Sequence, residues 1–525
     1  MSAARPLSLA MPVSAPLRAR DKIGSVDELA AKAEKARARG KTVVLAHGVF
    51  DLLHMGHMRH LEAARREGDL LFVTCTADRF VNKGPGRPVF PEQFRAEMLA
   101  ALECVDGVAV SNWPTAEGVI RLVQPGVYIK GRDYENPSDD LTGKINEERR
   151  AVEAHGGRIV FTDDITFSSS SLINRHLNVF EPQVSAYLAD RRDNGTLDRA
   201  LAAIDAIKHQ RVTLVGDAII DEYEYAVPMG KSAKENIIAS RFESRELFAG
   251  GVIAAANHVA DFCAEVEIVT VLGEADSYED TIRAALKPNV SLNVVYRPGL
   301  PTTRKCRFVD PGHMRKLFEV YTFDDTPIDG AIERELCMRV RHHAAQSDTT
   351  IVTDFGHGLM TPAAIRATTE SARFMAVNAQ SNSANHGYNL ITKYDRADYV
   401  CIDAPEARLA MADRRSELGE LIAGKLRSAV GCDRIIVTHG ANGCVAYEPS
   451  AGVHRVPAFT RQVVDTVGAG DAFLSVTSPL VSAGAPLDLV GLIGNAVGAI
   501  KVGIVGHRRS VERVPLLKFL TALLK

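Results

Sequence analysis

The chain has 525 residues, of which 62 are Lys or Arg and 65 Asp or Glu, giving a formal net charge of −3. With 46% hydrophobic and 24% charged residues, it has the balance of an ordinary globular protein, which excludes a largely disordered chain, a collagen and a disulfide scaffold. A near-neutral total offers no bulk attraction to nucleic acid or to an anionic membrane, so any phosphate chemistry must rest on local groups.

At roughly 150 residues per domain the length points to two to four domains. The first 20 residues carry Arg5, Arg18 and Arg20, with Pro6, Pro12 and Pro16 between them. Pro12 and Pro16 interrupt any apolar signal-peptide core, so residues 1–23 are expected to be a disordered lead-in. No run reaches the roughly 18 apolar residues of a membrane span. The eight cysteines include no Cys-x-x-Cys pair, so zinc and dithiol redox chemistry lack support. They are expected to be small buried hydrophobes in the reducing cytoplasm.

The first predicted helix covers 26–39, with Ser25 as N-cap and Glu28 three residues on. Gly40 ends it. Thr42–Ala46 reads as a buried strand, followed by a glycine turn and a helix from about His57 to Arg66. Further apolar runs at 70–75, 108–110, 127–129 and 158–161 alternate with helices, the pattern of a parallel sheet covered by helices. Between 181 and 210 the strands stop and two helical stretches flank Gly195, which reads as a linker. Strands resume at 211–215, 266–272, 350–353, 399–402 and 434–438. The expected organisation is a first domain over 24–180, the helical linker 181–210 and a second domain over 211–525.

His47-Gly-Val-Phe-Asp-Leu-Leu-His-Met-Gly-His57 carries the chemistry of the first half. A strand enters a glycine turn and a helix opens behind it, presenting unpaired N–H groups that suit phosphate. His54 and His57 stand three apart there, placed to donate hydrogen bonds to a triphosphate as charge shifts; alone, the pair also reads as two structural histidines. Lys83 and Arg87 lie in a Gly/Pro loop as candidate triphosphate clamps. Lys130 and Arg132 follow a strand end, where open α/β sheets bind ligands. Ser168 to Ser171 precede a helix and can cap it or bind phosphate.

The string 47–57 resembles the signature of the cytidylyltransferase-like nucleotidyltransferases, a Gly-x-Phe-Asp followed by His-x-Gly-His. The resemblance implies a Rossmann-like domain in which His54, His57 and Lys83 are catalytic. Gly48, Phe50, Gly56, Arg87, Lys130, Arg132, Ser169 and Ser170 would bind the nucleotide. The implied reaction is attack of a phosphorylated alcohol on the α-phosphorus of ATP or CTP, with Mg²⁺ present and pyrophosphate leaving.

In the second half, Asp465-Thr-Val-Gly-Ala-Gly-Asp-Ala-Phe473 combines a tight turn, whose N–H groups converge on an anion, with a helix behind it. Asp471 can accept the proton of an attacking hydroxyl. The string resembles that of the PfkB, ribokinase-like sugar kinases, and so do further segments over most of 211–510. On that resemblance Asp217, Asp221, Gly250, Gly251 and Asn257 would contact the sugar. Thr438, Gly440, Gly443, Gly468, Ala469, Gly470 and Asn495 would contact ATP, and Glu406 would help organise Mg²⁺. Four stretches depart from the pattern. Asp403 stands where the family has Asn, 377–380 where many relatives have an Asp-Pro-Lys-like stretch, 381–387 is a polar insert, and His357 replaces a Lys.

The pairing resembles the bifunctional heptose-phosphate kinase/adenylyltransferases of ADP-heptose synthesis with the domain order reversed. It adds Lys305 and Arg307 as candidate phosphate contacts. The fold class is therefore α/β, a Rossmann-like nucleotidyltransferase followed by a ribokinase-like α/β sandwich. The expected function is phosphorylation of a sugar or sugar phosphate and nucleotidyl transfer to a sugar 1-phosphate, for surface glycans. The partners are sugar substrates and nucleoside triphosphates, with no nucleic acid or membrane, and the resemblance implies a homo-oligomer. A CTP-dependent polyol-phosphate cytidylyltransferase, fused to a kinase of other specificity or to an idle sugar-binding module, is the alternative. A tRNA-synthetase reading of His-x-Gly-His leaves the sugar-kinase motifs without a role.

Overall fold

The computed structural model describes residues 19–81, 87–131, 144–162, 180–460 and 462–525. They belong to two units, divided between 179 and 180.

The first unit is a six-stranded parallel sheet in the order β1-β4-β3-β2-β5-β6, made of β1 (Ile23–Gly24), β2 (Val43–Gly48), β3 (Leu70–Thr76), β4 (Gly107–Ser111), β5 (Val127–Gly131) and β6 (Arg158–Thr162). Alternate residues of β2 face opposite layers. Val43 and Leu45 join one core with Leu29, Val119 and Ile120, while Val44 and Ala46 join another with Leu61, Leu99 and Val105. The helix Val26–Arg37 starts with a capping box, in which Ser25 Oγ accepts from Glu28 N at 3.1 Å and Glu28 Oε2 accepts from Ser25 N at 2.9 Å. The chain winds outward from β2 to β4 and returns to β5. The switch point therefore lies between β2 and β5, at the carboxyl ends that carry the 47–57 turn and Lys130.

Part of the expected lead-in is ordered. Ile23 and Gly24 pair with β4, and Lys22 Nζ donates to Leu102 O at 2.9 Å. Proline and arginine content hid a two-residue edge strand too short to show a period.

The second unit contains a nine-stranded sheet, β11-β10-β7-β14-β15-β16-β17-β18-β19. Its strands are β7 (Arg211–Gly216), β10 (Glu265–Ala275), β11 (Val290–Pro301), β14 (Thr349–Asp354), β15 (Met375–Ala379), β16 (Tyr399–Asp403), β17 (Ile435–Thr438), β18 (Cys444–Glu448) and β19 (Gly452–Val456). β11 to β17 run parallel, and β18 and β19 add antiparallel. A second, four-stranded sheet, β13-β12-β8-β9, consists of β8 (Ala218–Lys231), β9 (Ile238–Gly251), β12 (Thr303–Asp310) and β13 (Arg315–Thr322). Sequence reading missed most of this sheet, because β9 and β13 are largely exposed and the buried parts of β8 and β12 carry charged residues, Asp221, Glu222, Lys305 and Arg307.

The segment 181–210 is not a linker. Its helices Pro182–Asp193 and Thr196–Ala206 put Leu188, Ala200 and Ile204 into the core of the second unit beside Leu480, Leu489 and Leu520. Arg191 also pairs with Asp488 at 2.7 Å. The loss of strand pattern marked a change of element, not a gap between domains. All eight cysteines are free thiols, and seven are buried. Among the described residues no helix is long and apolar enough to cross a membrane.

Candidate active sites

In the first unit the helix Met55–Arg66 begins earlier than expected, with His54 as its N-cap. His54 Nδ1 accepts from Gly56 N at 3.1 Å, which fixes the proton on Nε2 and makes that edge the donor. The His54 and His57 rings stack with centroids 4.0 Å apart, and Phe50 meets His57 edge-on at 5.5 Å. Phe50 and Leu52 both take φ of 51°, the left-handed region that non-glycine residues seldom adopt. Asp51 accounts for how this turn is held. Its carboxylate accepts from Val89 N at 2.9 Å and Phe90 N at 3.2 Å, tying that backbone to the histidine turn.

Two residues that sequence reading missed complete this frame. Arg95 is fully buried, and its guanidinium donates to Phe90 O at 2.9 Å, Val49 O at 2.5 Å and Thr76 O at 2.7 Å and pairs with Asp78 at 2.6 Å. His47 Nδ1 lies 2.9 Å from Thr74 Oγ1, and burial together with Lys130 pushes its pKa down to about 3. No motif signals either. Lys130 pairs with Glu148 at 2.9 Å, so its ammonium reaches a nucleotide only by sharing that carboxylate. Lys83, Arg132, Ser169 and Ser170 lie outside the described residues.

In the second unit the carboxyl ends of β14, β15, β16 and β17, together with β8, β9 and β12 of the four-stranded sheet, open onto a cavity of about 780 Å³. Its walls bring together Asp221, Gly251, Lys305, Arg307, Glu406, Thr438, Gly440, Gly443, Gly468, Ala469, Gly470, Asp471 and Asn495. Asp217, Gly250 and Asn257 do not line it. Asp217 is turned into the β14 loop, where Oδ2 accepts from Phe355 N at 2.8 Å. Asn257 Oδ1 accepts from Lys287 N at 3.1 Å while its Nδ2 donates to Ala285 O at 2.9 Å. Gly250 works from behind, since a Cβ there would collide with the Asp221 carboxylate. Gly468 has φ 73° and caps the helix Ala469–Ser482, in whose first turn Asp471 lies.

The electrostatics divide the cavity. Burial raises the Asp471 carboxyl above the ordinary range, against the pull of His507, Lys501 and Lys305. Burial would also raise Asp221, yet the hydrogen bond from His507 and the charge of Arg307 hold it well below the usual carboxylate range. Arg307 pairs with Asp221 through Nη1 and with Glu319 through Nε at 3.1 Å. Lys305 sits over the Tyr321 and Phe355 rings at 5.5 and 5.8 Å. Burial and Lys305 push the nearby His357 down to about 3, and neither of its ring nitrogens has a hydrogen-bond partner.

At the other end, Asp403 and Glu406 form a capping box. Asp403 Oδ1 accepts from Glu406 N at 2.8 Å, and Glu406 Oε2 accepts from Asp403 N at 2.9 Å. An Asp caps a helix as well as an Asn, so this departure preserves the local structure. Burial and the Asp403 charge push Glu406 up to about 8; a buried carboxyl beside the exposed carboxyl of Asp403, at the edge of the cavity, suits a divalent cation. The polar insert is also structural. Asn382 and Asn385 Nδ2 both donate to Phe355 O at 2.9 Å, and Asn389 Nδ2 donates to Asp354 O at 3.0 Å. Asn495 Nδ2 donates to Val456 O at 2.9 Å, which fastens the end of β19 at the cavity wall.

Comparison with known proteins agrees with this division. Residues 209–513 match the pfkB family carbohydrate kinase model, and residues 45–176 match the cytidylyltransferase-like model. Curated relatives include the "Bifunctional protein HldE" of Methylobacillus flagellatus, 40% identical over 159 residues, which cover 30% of this chain and 31% of the relative. That of Syntrophotalea carbinolica is 41% identical over 151 residues, 28% of this chain and 29% of the relative. These matches fall in the N-terminal part, so the chain spans under a third of those relatives' length. Among solved structures, phosphofructokinase-2 of Escherichia coli covers 61% of this chain and all of its own at 14% identity and TM-score 0.49. Arabidopsis thaliana ribokinase covers 60% of this chain and 99% of its own at 16% identity and TM-score 0.46. With its pfkB match covering more than half its length, behind an N-terminal cytidylyltransferase-like domain, the chain belongs to the pfkB family of carbohydrate kinases and is a transferase.

Proposed function

We propose that the chain is a two-step enzyme of nucleotide-sugar synthesis. The second unit phosphorylates a sugar or sugar phosphate with ATP, and the first couples a sugar 1-phosphate to a nucleotide with release of pyrophosphate. The acceptor is heptose-like, and the product feeds surface glycan assembly. The observation that supports this reading is the single cavity holding the 468–470 turn and Asp471 together with Lys305 and Arg307. One end suits a transferring phosphoryl group, and the other presents cations to a phosphorylated acceptor.

In the kinase step the acceptor oxygen bonds to the γ-phosphorus, ADP leaves, and Asp471 takes the hydroxyl proton. The N–H groups of the 468–470 turn receive the charge on the migrating group. Asp403 and Glu406 are the residues that would hold Mg²⁺, which supplies charge neutralisation of the phosphates when bound. In the transferase step a phosphate oxygen of the sugar 1-phosphate attacks the α-phosphorus, and His54 and His57 donate to the triphosphate. We place both steps in the cytoplasm, in a homo-oligomer.

The test is the purified full chain with ATP or CTP and a panel of sugar and polyol phosphates. ATP-dependent pyrophosphate release with a sugar 1-phosphate is expected. Release with CTP and a polyol phosphate alone would favour a cytidylyltransferase of different specificity, and no turnover with any acceptor would sink the reading.

A further inference from the structure

Lys501 ends the helix Leu487–Lys501 and is completely buried. Its Nζ donates to Val467 O at 2.7 Å and to Gly506 O at 2.8 Å. These carbonyls belong to the segment that opens the 467–470 turn and to the loop that carries His507. Asp465 binds the same two segments from their N–H side, Oδ1 accepting from Val467 N at 3.1 Å and Oδ2 from Gly506 N at 2.8 Å. Lys316 pairs with Asp465 at 2.9 Å. A Cβ on Gly468 would stand 3.4 Å from Lys501 Cε and 2.5 Å from His507 Cε1, so the aliphatic end of Lys501 and the His507 ring form the floor under the anion turn.

A buried ammonium is costly unless its surroundings repay the lost water. A methionine would fill the same space without that cost. What the charge adds is a bridge between two carbonyl oxygens whose dipoles would otherwise repel. Ammonium and potassium ions are close in size, so a carbonyl-lined space that fits one fits the other.

We propose that Lys501 is a built-in cation that locks the 467–470 turn in its anion-binding form, so that phosphoryl transfer by this chain needs no dissolved monovalent cation. Lys501 is a positioning residue, since its ammonium touches backbone carbonyls and not the transferring group. The proposal rests on the phosphoryl-transfer reading of the cavity.

The test uses the full chain and MgADP with aluminium fluoride, which mimics the transferring group without an acceptor. For the wild type, the gain in affinity that fluoride brings over ADP alone is expected to be equal in sodium, potassium and tetramethylammonium chloride. In Lys501→Met that gain falls by about tenfold or more, while the affinity for ADP alone stays within about twofold because the adenine and diphosphate contacts remain. In Lys501→Ala, potassium or ammonium restores the gain and tetramethylammonium does not. A wild type that requires potassium, a Met variant that keeps the gain, or an Ala variant that no ion restores would each overturn the proposal. Should neither variant fold, as judged by thermal unfolding, the wild-type salt series still decides it. A wild type with no fluoride gain in any salt would overturn the phosphoryl-transfer reading and this proposal together, an outcome distinct from a loss confined to the variants.

Discussion

His507 Nε2 lies 3.3 Å from Asp221 Oδ2, on the carboxylate that Arg307 also holds. The same imidazole packs under Gly468, so one side chain touches both the end of the cavity proposed for the acceptor and the turn proposed to receive the phosphoryl group. His507→Ala removes one of the two partners of Asp221 and leaves the other. The acceptor kcat/KM of the kinase step is expected to fall by about tenfold, the worth of one hydrogen bond to a charged group. The KM for ATP should stay unchanged in steady-state kinetics; a rise in that constant alone would assign His507 to the nucleotide side.

Asp471→Asn removes the proposed proton acceptor but keeps the size of the side chain. ADP formation should drop by roughly 10²- to 10⁴-fold, as for loss of a general base, with pyrophosphate release by the transferase unaffected. Burial raises Asp471, so the base protonates at a higher pH than an exposed carboxylate would. The acid limb of the wild-type kinase profile should therefore lie above the ordinary aspartate range, and activity should fall as pH drops through it. A limb at the usual carboxylate position would mean that another group limits the rate.

Legibility in the sequence followed locality. The 47–57 and 465–473 turns were readable because contiguous residues build them, and the strand-to-helix context is itself local. Asp217 and Asn257 read equally well as ligands, yet their partners, Phe355 N and Lys287 N, come from distant segments that no spacing links to them. His507, Lys501, Arg95 and His47 were invisible for the same reason, since each matters through neighbours far away in the chain. The linker was misread because polar outer faces dominated 181–210, while the burial of Leu188 and Ile204 depends on helices near the C-terminus.

His47 supplies a pH prediction for the first unit. Its pKa is held at about 3, against 6.5 in the unfolded chain, by burial and Lys130. The folded state therefore binds fewer protons than the unfolded state between those values, and stability is lost as pH falls from about 6.5 toward 3. The slope is at most about 1.4 kcal/mol per pH unit from this group. His47→Asn, which can still hydrogen-bond Thr74, should flatten the decline of the unfolding midpoint of the first unit between pH 6.5 and 4.5. An unchanged slope would place the acid sensitivity elsewhere.

His54 caps its helix and is proposed to donate to the triphosphate, and two substitutions divide these duties. Asn is a good N-cap and can accept from Gly56 N, but it lacks the ring that stacks on His57 and the Nε2 donor. His54→Asn should fold with an unchanged unfolding midpoint and lose roughly 10²- to 10³-fold in pyrophosphate release, the usual loss for one donor to developing charge. His54→Ala should lose a similar factor and, in addition, about 1 kcal/mol of stability with the cap. ADP formation by the second unit should be the same in both. If His54→Asn transferred nucleotide at the wild-type rate, the cap would be the whole role of His54, and the donor would have to be His57 alone.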